Sequence, residues 1–132
     1  VKLHPINQNH LFGKVYSGGK KHYATTVSVH CLRDKHSGRL RKAHPEKLLI
    51  NRIGITVTKK IGNAPTRNRV KRIIREAYRQ LDAEYSIRRG MLIVISAREG
   101  ATTAKTADVT RDLLRGLKKL ELIGDRQEAG AE

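Results

Sequence analysis

The chain has 132 residues, 38% of them hydrophobic, with 28 Lys and Arg against 12 Asp and Glu and a formal charge of +16. That length suits one domain with a modest core, and no apolar run approaches the roughly 18–20 residues that span a bilayer. No signal-peptide pattern opens the chain, and a single cysteine, Cys31, allows no intrachain disulfide, so a reducing, cytoplasmic setting with no membrane partner is expected.

The charge is unevenly placed. Residues 1–81 carry 19 Lys and Arg against 3 acids, whereas residues 82–132 carry 9 of each. A basic field of that size self-repels unless a partner compensates it, and phosphate is the usual partner.

In chain order, His4-Pro5 reads as an extended lead-in, with Asn7 or Asn9 capping a first helix. Leu11, Phe12, Val15 and Tyr16 recur at helical spacing, and Gly18-Gly19 is expected to end the helix in a left-handed conformation. Phe12 and Tyr16 lie four apart on one face. Spacing alone favours ordinary core for them; exposed, they would stack on unpaired bases. His22 to Leu32 alternates, Val27, Val29 and Cys31 one way and Thr26, Ser28 and His30 the other, which predicts one half-buried strand. Arg33–Lys47 holds six Lys and Arg and is read as a long basic hairpin loop. A second strand is expected from Leu48 to about Thr58, with Ile53, Ile55 and Val57 alternating.

Ile61-Gly62-Asn63 then turns the chain into a helix from about Pro65, capped by Asn63 or Thr66. Val70, Ile73, Ile74, Ala77, Tyr78 and Leu81 form its buried stripe. Asn68, Arg72, Arg75 and Arg79 fall opposite, with Arg67, Arg69 and Lys71 on the flanks. Lys59 to Arg79 holds eight Lys or Arg and one acid, Glu76. A merely solvated helix interleaves both signs, so this one is read as a polyanion-binding helix whose free N-terminal amides add to the site.

Met91–Ile95 is a continuous apolar run, the signature of a strand buried on both faces. Val109, Leu113, Leu117 and Leu120 mark a last amphipathic helix, capped by Thr102 or Thr103, in which Gly116 costs about 1 kcal/mol against Ala. Residues 124–132 read as a frayed, flexible tail. The pattern gives one domain over residues 1–132, an α+β or α/β sandwich around a small sheet. A strand, the basic helix and a buried strand make a parallel crossover, right-handed by the general rule.

No nucleophile–base arrangement is legible, the six His have no partner at metal-ligand spacing, and the glycines form no P-loop. The acids form no cluster for catalytic metal ions. If the chain takes part in catalysis, something else supplies the reacting groups.

The residues Lys59, Lys60, Gly62, Ala64, Arg67, Asn68, Arg69, Lys71, Arg72, Arg75, Glu76 and Tyr78 follow the pattern K-K-x-G-x-A, R-N-R-x-K-R, apolar pair, R-E-x-[FY]. This closely resembles the signature of the bacterial ribonuclease P protein subunit, tightest over Ile55 to Tyr78, with weaker agreement at Phe12-x-x-Val15-Tyr16 and Ala97-Arg98-x-x-Ala101. The resemblance implies an α-β-β-β-α-β-α sandwich with a left-handed crossover through the Arg-rich helix, against the general rule. It implies a partner RNA that is itself the catalyst and a precursor tRNA substrate, whose 5′ leader is removed with Mg2+ held mainly by the RNA. No organic cofactor and no obligate protein partner is implied.

On the same resemblance, Lys59, Lys60, Asn63, Arg67, Asn68, Arg69, Lys71, Arg72 and Arg75 contact the catalytic RNA. Phe12, Tyr16 and His30 line the leader-binding cleft, His30 standing where relatives often carry an aromatic, its imidazole able to stack on a base. No protein side chain is implied to be catalytic, and none to hold metal alone. Replacing Arg69 or Arg72 by Ala is expected to weaken assembly and leave the fold intact. A ribosomal or general RNA-binding protein would share the charge but stimulate no cleavage. A DNA-binding module would need a positioning helix before the Arg helix, and a strand stands there instead.

Overall fold

The computed structural model describes residues 3–34 and 51–123. The elements are β1 (His4–Pro5), α1 (Asn9–Gly18), β2 (Lys20–Tyr23), β3 (Val27–Arg33), β4 (Arg52–Thr56), α2 (Ala64–Glu84), β5 (Met91–Ala97) and α3 (Thr106–Lys119). Short 3-10 turns at Lys59–Ile61 and Glu99–Thr103 lead into α2 and α3. The family order is present, with the lead-in adding a two-residue strand beside β4.

The sheet runs β1-β4-β5-β3-β2. β5 is its centre, parallel to β4 and antiparallel to β3. Its apolar run explains the position, because a strand without a polar face must be covered on both sides. Ile93 and Ile95 join Val27, Val29, Cys31 and Ile53 in the larger core under α2 and α3. Leu92 and Val94 point the other way, into a smaller core with Ile6, Leu11 and Val15 beneath α1. Burial pushes the Cys31 thiol up, which favours its inert, protonated form.

Several expectations are corrected. The stretch from His22 to Leu32 is two strands, with Lys20 paired to Cys31 and Tyr23 to Ser28. The bend between them contains none of the usual turn residues. Tertiary bonds hold it: the Asp112 carboxylate on α3 accepts from Thr26 N at 3.0 Å and Thr26 Oγ1 at 2.6 Å, and Arg98 donates to Ala24 O at 2.7 Å. β3 and β4 are not a hairpin, because β5 lies between them. Residues 35–47 of the basic loop, the strand start at 48–50 and the tail at 124–132 lie outside the described residues. At the loop's described ends, Arg52 forms a bidentate pair with buried Asp34, at 2.8 and 2.9 Å.

The helix ends also differ. Gln8, not Asn7 or Asn9, precedes α1, and it makes no side-chain cap bond. Gly19 is extended at φ −94°, not left-handed. A side chain there would collide with the carbonyl oxygens of Val15 and Cys31. Neither Thr102 nor Thr103 caps α3. The Thr102 hydroxyl donates to Ile61 O at 3.2 Å, and the helix starts after Lys105, whose amide donates to Asp108 at 2.9 Å. Gly116 repays its helix penalty through proximity, since a Cβ there would lie 2.8 Å from Val29 Cγ2.

Candidate nucleic-acid interface

α2 is 21 residues long, and its stripe is buried as the spacing predicts: Val70, Ile74, Ala77, Tyr78 and Leu81, with Ile73 half-buried. Asn63 is the cap, its Oδ1 accepting from Thr66 N at 3.0 Å. That leaves the Asn63 amide nitrogen, on an exposed residue, free to donate outward. Lys59 and Lys60 sit exposed on the preceding turn, and Asn68, Arg72, Arg75 and Arg79 are exposed along the outer face. Arg67 is half-buried, and its Nε has no acceptor among the described residues.

Arg69 behaves differently from its neighbours. Its Nη2 donates to Ala104 O at 2.8 Å and its Nη1 to Thr102 O at 3.4 Å, tying α2 to the segment before α3. Arg69→Ala should therefore cost stability as well as assembly. The guanidinium acts as a brace, because a planar fork matches two carbonyls and a lone ammonium does not.

On the opposite face, α1 carries Phe12 and Tyr16 over the sheet. Helical i, i+4 spacing meets strand i, i+2 spacing: Phe12 packs on Gly54, and the Tyr16 hydroxyl reaches Thr56 at 3.2 Å and Ser96 at 2.6 Å. A Cβ at Gly54 would come within 2.5 Å of the Phe12 ring, so the ring could not keep this position over any larger residue. The ordinary-core reading fits Phe12 only in part, because it is half-buried, and fails for Tyr16, which is 37% exposed.

His30 lies on the sheet beside Tyr16, buried to 4% exposure. The sequence left open whether its imidazole stacks on a base; here Tyr16 covers it edge-on, with ring centroids 4.8 Å apart. Ser28 Oγ lies 3.1 Å from His30 Nε2. Burial, reinforced by Lys21, holds the imidazole below its usual pKa, so it is a neutral support for Tyr16 at physiological pH.

The two halves of the interface meet at one edge. A groove of about 470 Å³ has Phe12, Ile53 and Gly54 on its apolar side and Lys71, Arg75 and Arg79 on the other. Periodicity had put these groups on separate elements, and only the parallel pairing of β4 with β5 brings them together. Sequence reasoning missed Arg79 as a site residue, although its place on the outer row was legible. Nor did it single out Tyr23, whose ring lies edge-on to His30 towards the far edge of the sheet with the Arg98 guanidinium over it.

Known proteins share this fold. The family model described as Ribonuclease P matches residues 2–121. A ribonuclease P protein component of Clostridium botulinum is 30% identical over 119 residues, 90% of this chain and 96% of that protein. One from Clostridioides difficile is 33% identical over 111 residues, 84% and 86% of the two chains. The RNase P protein of Staphylococcus aureus superposes with a TM-score of 0.73 at 27% identity, covering 93% of this chain and all of that one. That of Thermotoga maritima, at 22% identity, shares the fold with a TM-score of 0.67 over 92% of this chain and 98% of that one. The chain belongs to the ribonuclease P protein family.

Proposed function

We propose that this chain is the protein subunit of a ribonuclease P ribonucleoprotein, binding the catalytic RNA and the 5′ leader of precursor tRNA and so promoting removal of the leader. The observation that carries this reading is the groove where Phe12 and Gly54 face Lys71, Arg75 and Arg79. A ring for a base beside cations for its phosphates suits unpaired RNA and reads little sequence. Tyr16 extends the stacking surface, and Asn63, Lys59, Lys60, Arg67, Asn68 and Arg72 offer donors and charge to the catalytic RNA.

In this reading the hydrolysis belongs to the RNA and its Mg2+. Among the described residues no three His, Cys, Asp or Glu side chains converge to hold an ion. The chain's own work is to neutralise phosphate, releasing counterions, and to hold the leader. Among the described residues no helix is long and apolar enough to cross a membrane.

The test is precursor-tRNA cleavage at low magnesium with RNA alone, protein alone, and both. Stimulation should need both, and Phe12→Ala should weaken precursor more than mature tRNA. RNA binding with no stimulation would instead make this a general RNA-binding protein.

A further inference from the structure

The stacking surface does not end at Tyr16. Tyr23 on β2 is 56% exposed and lies edge-on to His30, with centroids 5.8 Å apart at 85°. The Arg98 guanidinium sits 5.4 Å from the centroid of the same ring, held there by its bond to Ala24 O. Both border an open groove of about 900 Å³ that Lys60 and Arg115 also line. Two acids share that groove, Glu99 and Asp112, and the Asp112 carboxylate is buried and engaged by Thr26. The Tyr16 hydroxyl rests on β5, and β2 lies two strands further along the sheet, roughly 10 Å away. That is a short step along a single-stranded chain.

We propose that Tyr23 and Arg98 form a second single-stranded RNA subsite, taking leader nucleotides beyond those held at Phe12 and Tyr16. A ring and a guanidinium already stacked present flat surfaces to a base at little ordering cost, and Lys60 and Arg115 stand ready for the flanking phosphates. The inference rests on the leader-binding reading of the cleft. It gives this chain a longer leader footprint, in which buried His30 supports an aromatic ring on either side.

Holoenzyme reconstituted with the catalytic RNA is titrated with mature tRNA, a short-leader precursor, and a precursor whose leader is extended by several uridines. The wild type should bind the long leader more tightly than the short one. Tyr23→Ala should lose about tenfold for the long leader alone, the loss of one base stack, and Tyr23→Phe should restore it. A long-leader advantage that survives Tyr23→Ala overturns the proposal. So does an equal loss for all three ligands with weaker assembly, which would assign the groove to the catalytic RNA. If the wild type separates short-leader precursor from mature tRNA but not long from short, only the outer subsite fails. If it separates neither precursor from mature tRNA, the cleft reading falls as well.

Discussion

Arg69 and Arg72 lie three residues apart on the same helix, yet their replacement should have opposite signatures. Arg72 is exposed and bonds to no other described group, so Arg72→Ala should change stability by less than about 0.5 kcal/mol. If it meets one phosphate of duplex RNA, its loss lowers the log–log salt slope of binding by about 0.9. The wild-type advantage should then shrink about 3.5-fold across a roughly fourfold rise in salt. Arg69→Ala removes the 2.8 Å bond to Ala104 O and the weaker one to Thr102 O. For a half-exposed, charge-assisted pair this amounts to about 1–2 kcal/mol, hence a Tm roughly 4–8 °C lower. The assay is thermal melting of each variant beside its affinity for the catalytic RNA at several salt concentrations. An Arg72→Ala protein that melts as early as Arg69→Ala, or whose salt slope equals that of the wild type, would refute the division between brace and phosphate contact.

Three further outcomes follow from the packing. Gly54→Ala places a methyl group 2.5 Å from the Phe12 ring; it should cost about 1–3 kcal/mol in melts and reproduce the leader-binding loss of Phe12→Ala. Asp112→Ala strands the buried amide and hydroxyl of Thr26, for a loss of about 2–4 kcal/mol in denaturant titration. Burial pushes the Asp112 carboxyl up, but the Thr26 bonds and Arg111 outweigh it and hold the group below its ordinary 3.8. Its contribution is therefore present above that pH and fades as pH falls through the lower folded value, so wild type and Asp112→Asn should converge in acid. Burial pushes the Tyr78 phenol from 10 up to about 12. A raised acid loses its stabilising effect as pH climbs from the unfolded to the folded value, so stability should drop by roughly 2–3 kcal/mol across that window, and Tyr78→Phe should flatten the curve.

What could be read from the sequence follows the range of the forces involved. The α2 stripe and the all-apolar β5 are set by neighbours within one or two turns and sit where the spacing puts them, and the Asn63 cap is one of the two residues it offered. The bend at residues 24–26 is set by Asp112, 86 positions away. No local pattern could reveal it, and one alternating run became two strands. The same limit hid the braced state of Arg69, whose partners lie 33 and 35 residues along the chain. His30 alternates correctly onto the cleft face. Its burial depends on how far Tyr16 leans across β3 towards Ser96 and Thr56, which spacing does not encode.

In the proposed reading the helix that binds and the helix that folds are the same helix, and the structure keeps the two tasks apart by side. Several ion pairs of the described residues lie away from the outer row: Arg52 with Asp34, Arg89 with Asp82, Arg111 with Asp108. Over the stretch from Lys59 to Arg79, Glu76 is the one acid amid eight cations. Repulsion within the row has to be outweighed by burial of Val70, Ile74, Ala77, Tyr78 and Leu81, each 1% exposed or less. A row left short of acids in the free chain is balanced when phosphate arrives. That balance makes binding the step at which the fold recovers the stability its charge withholds.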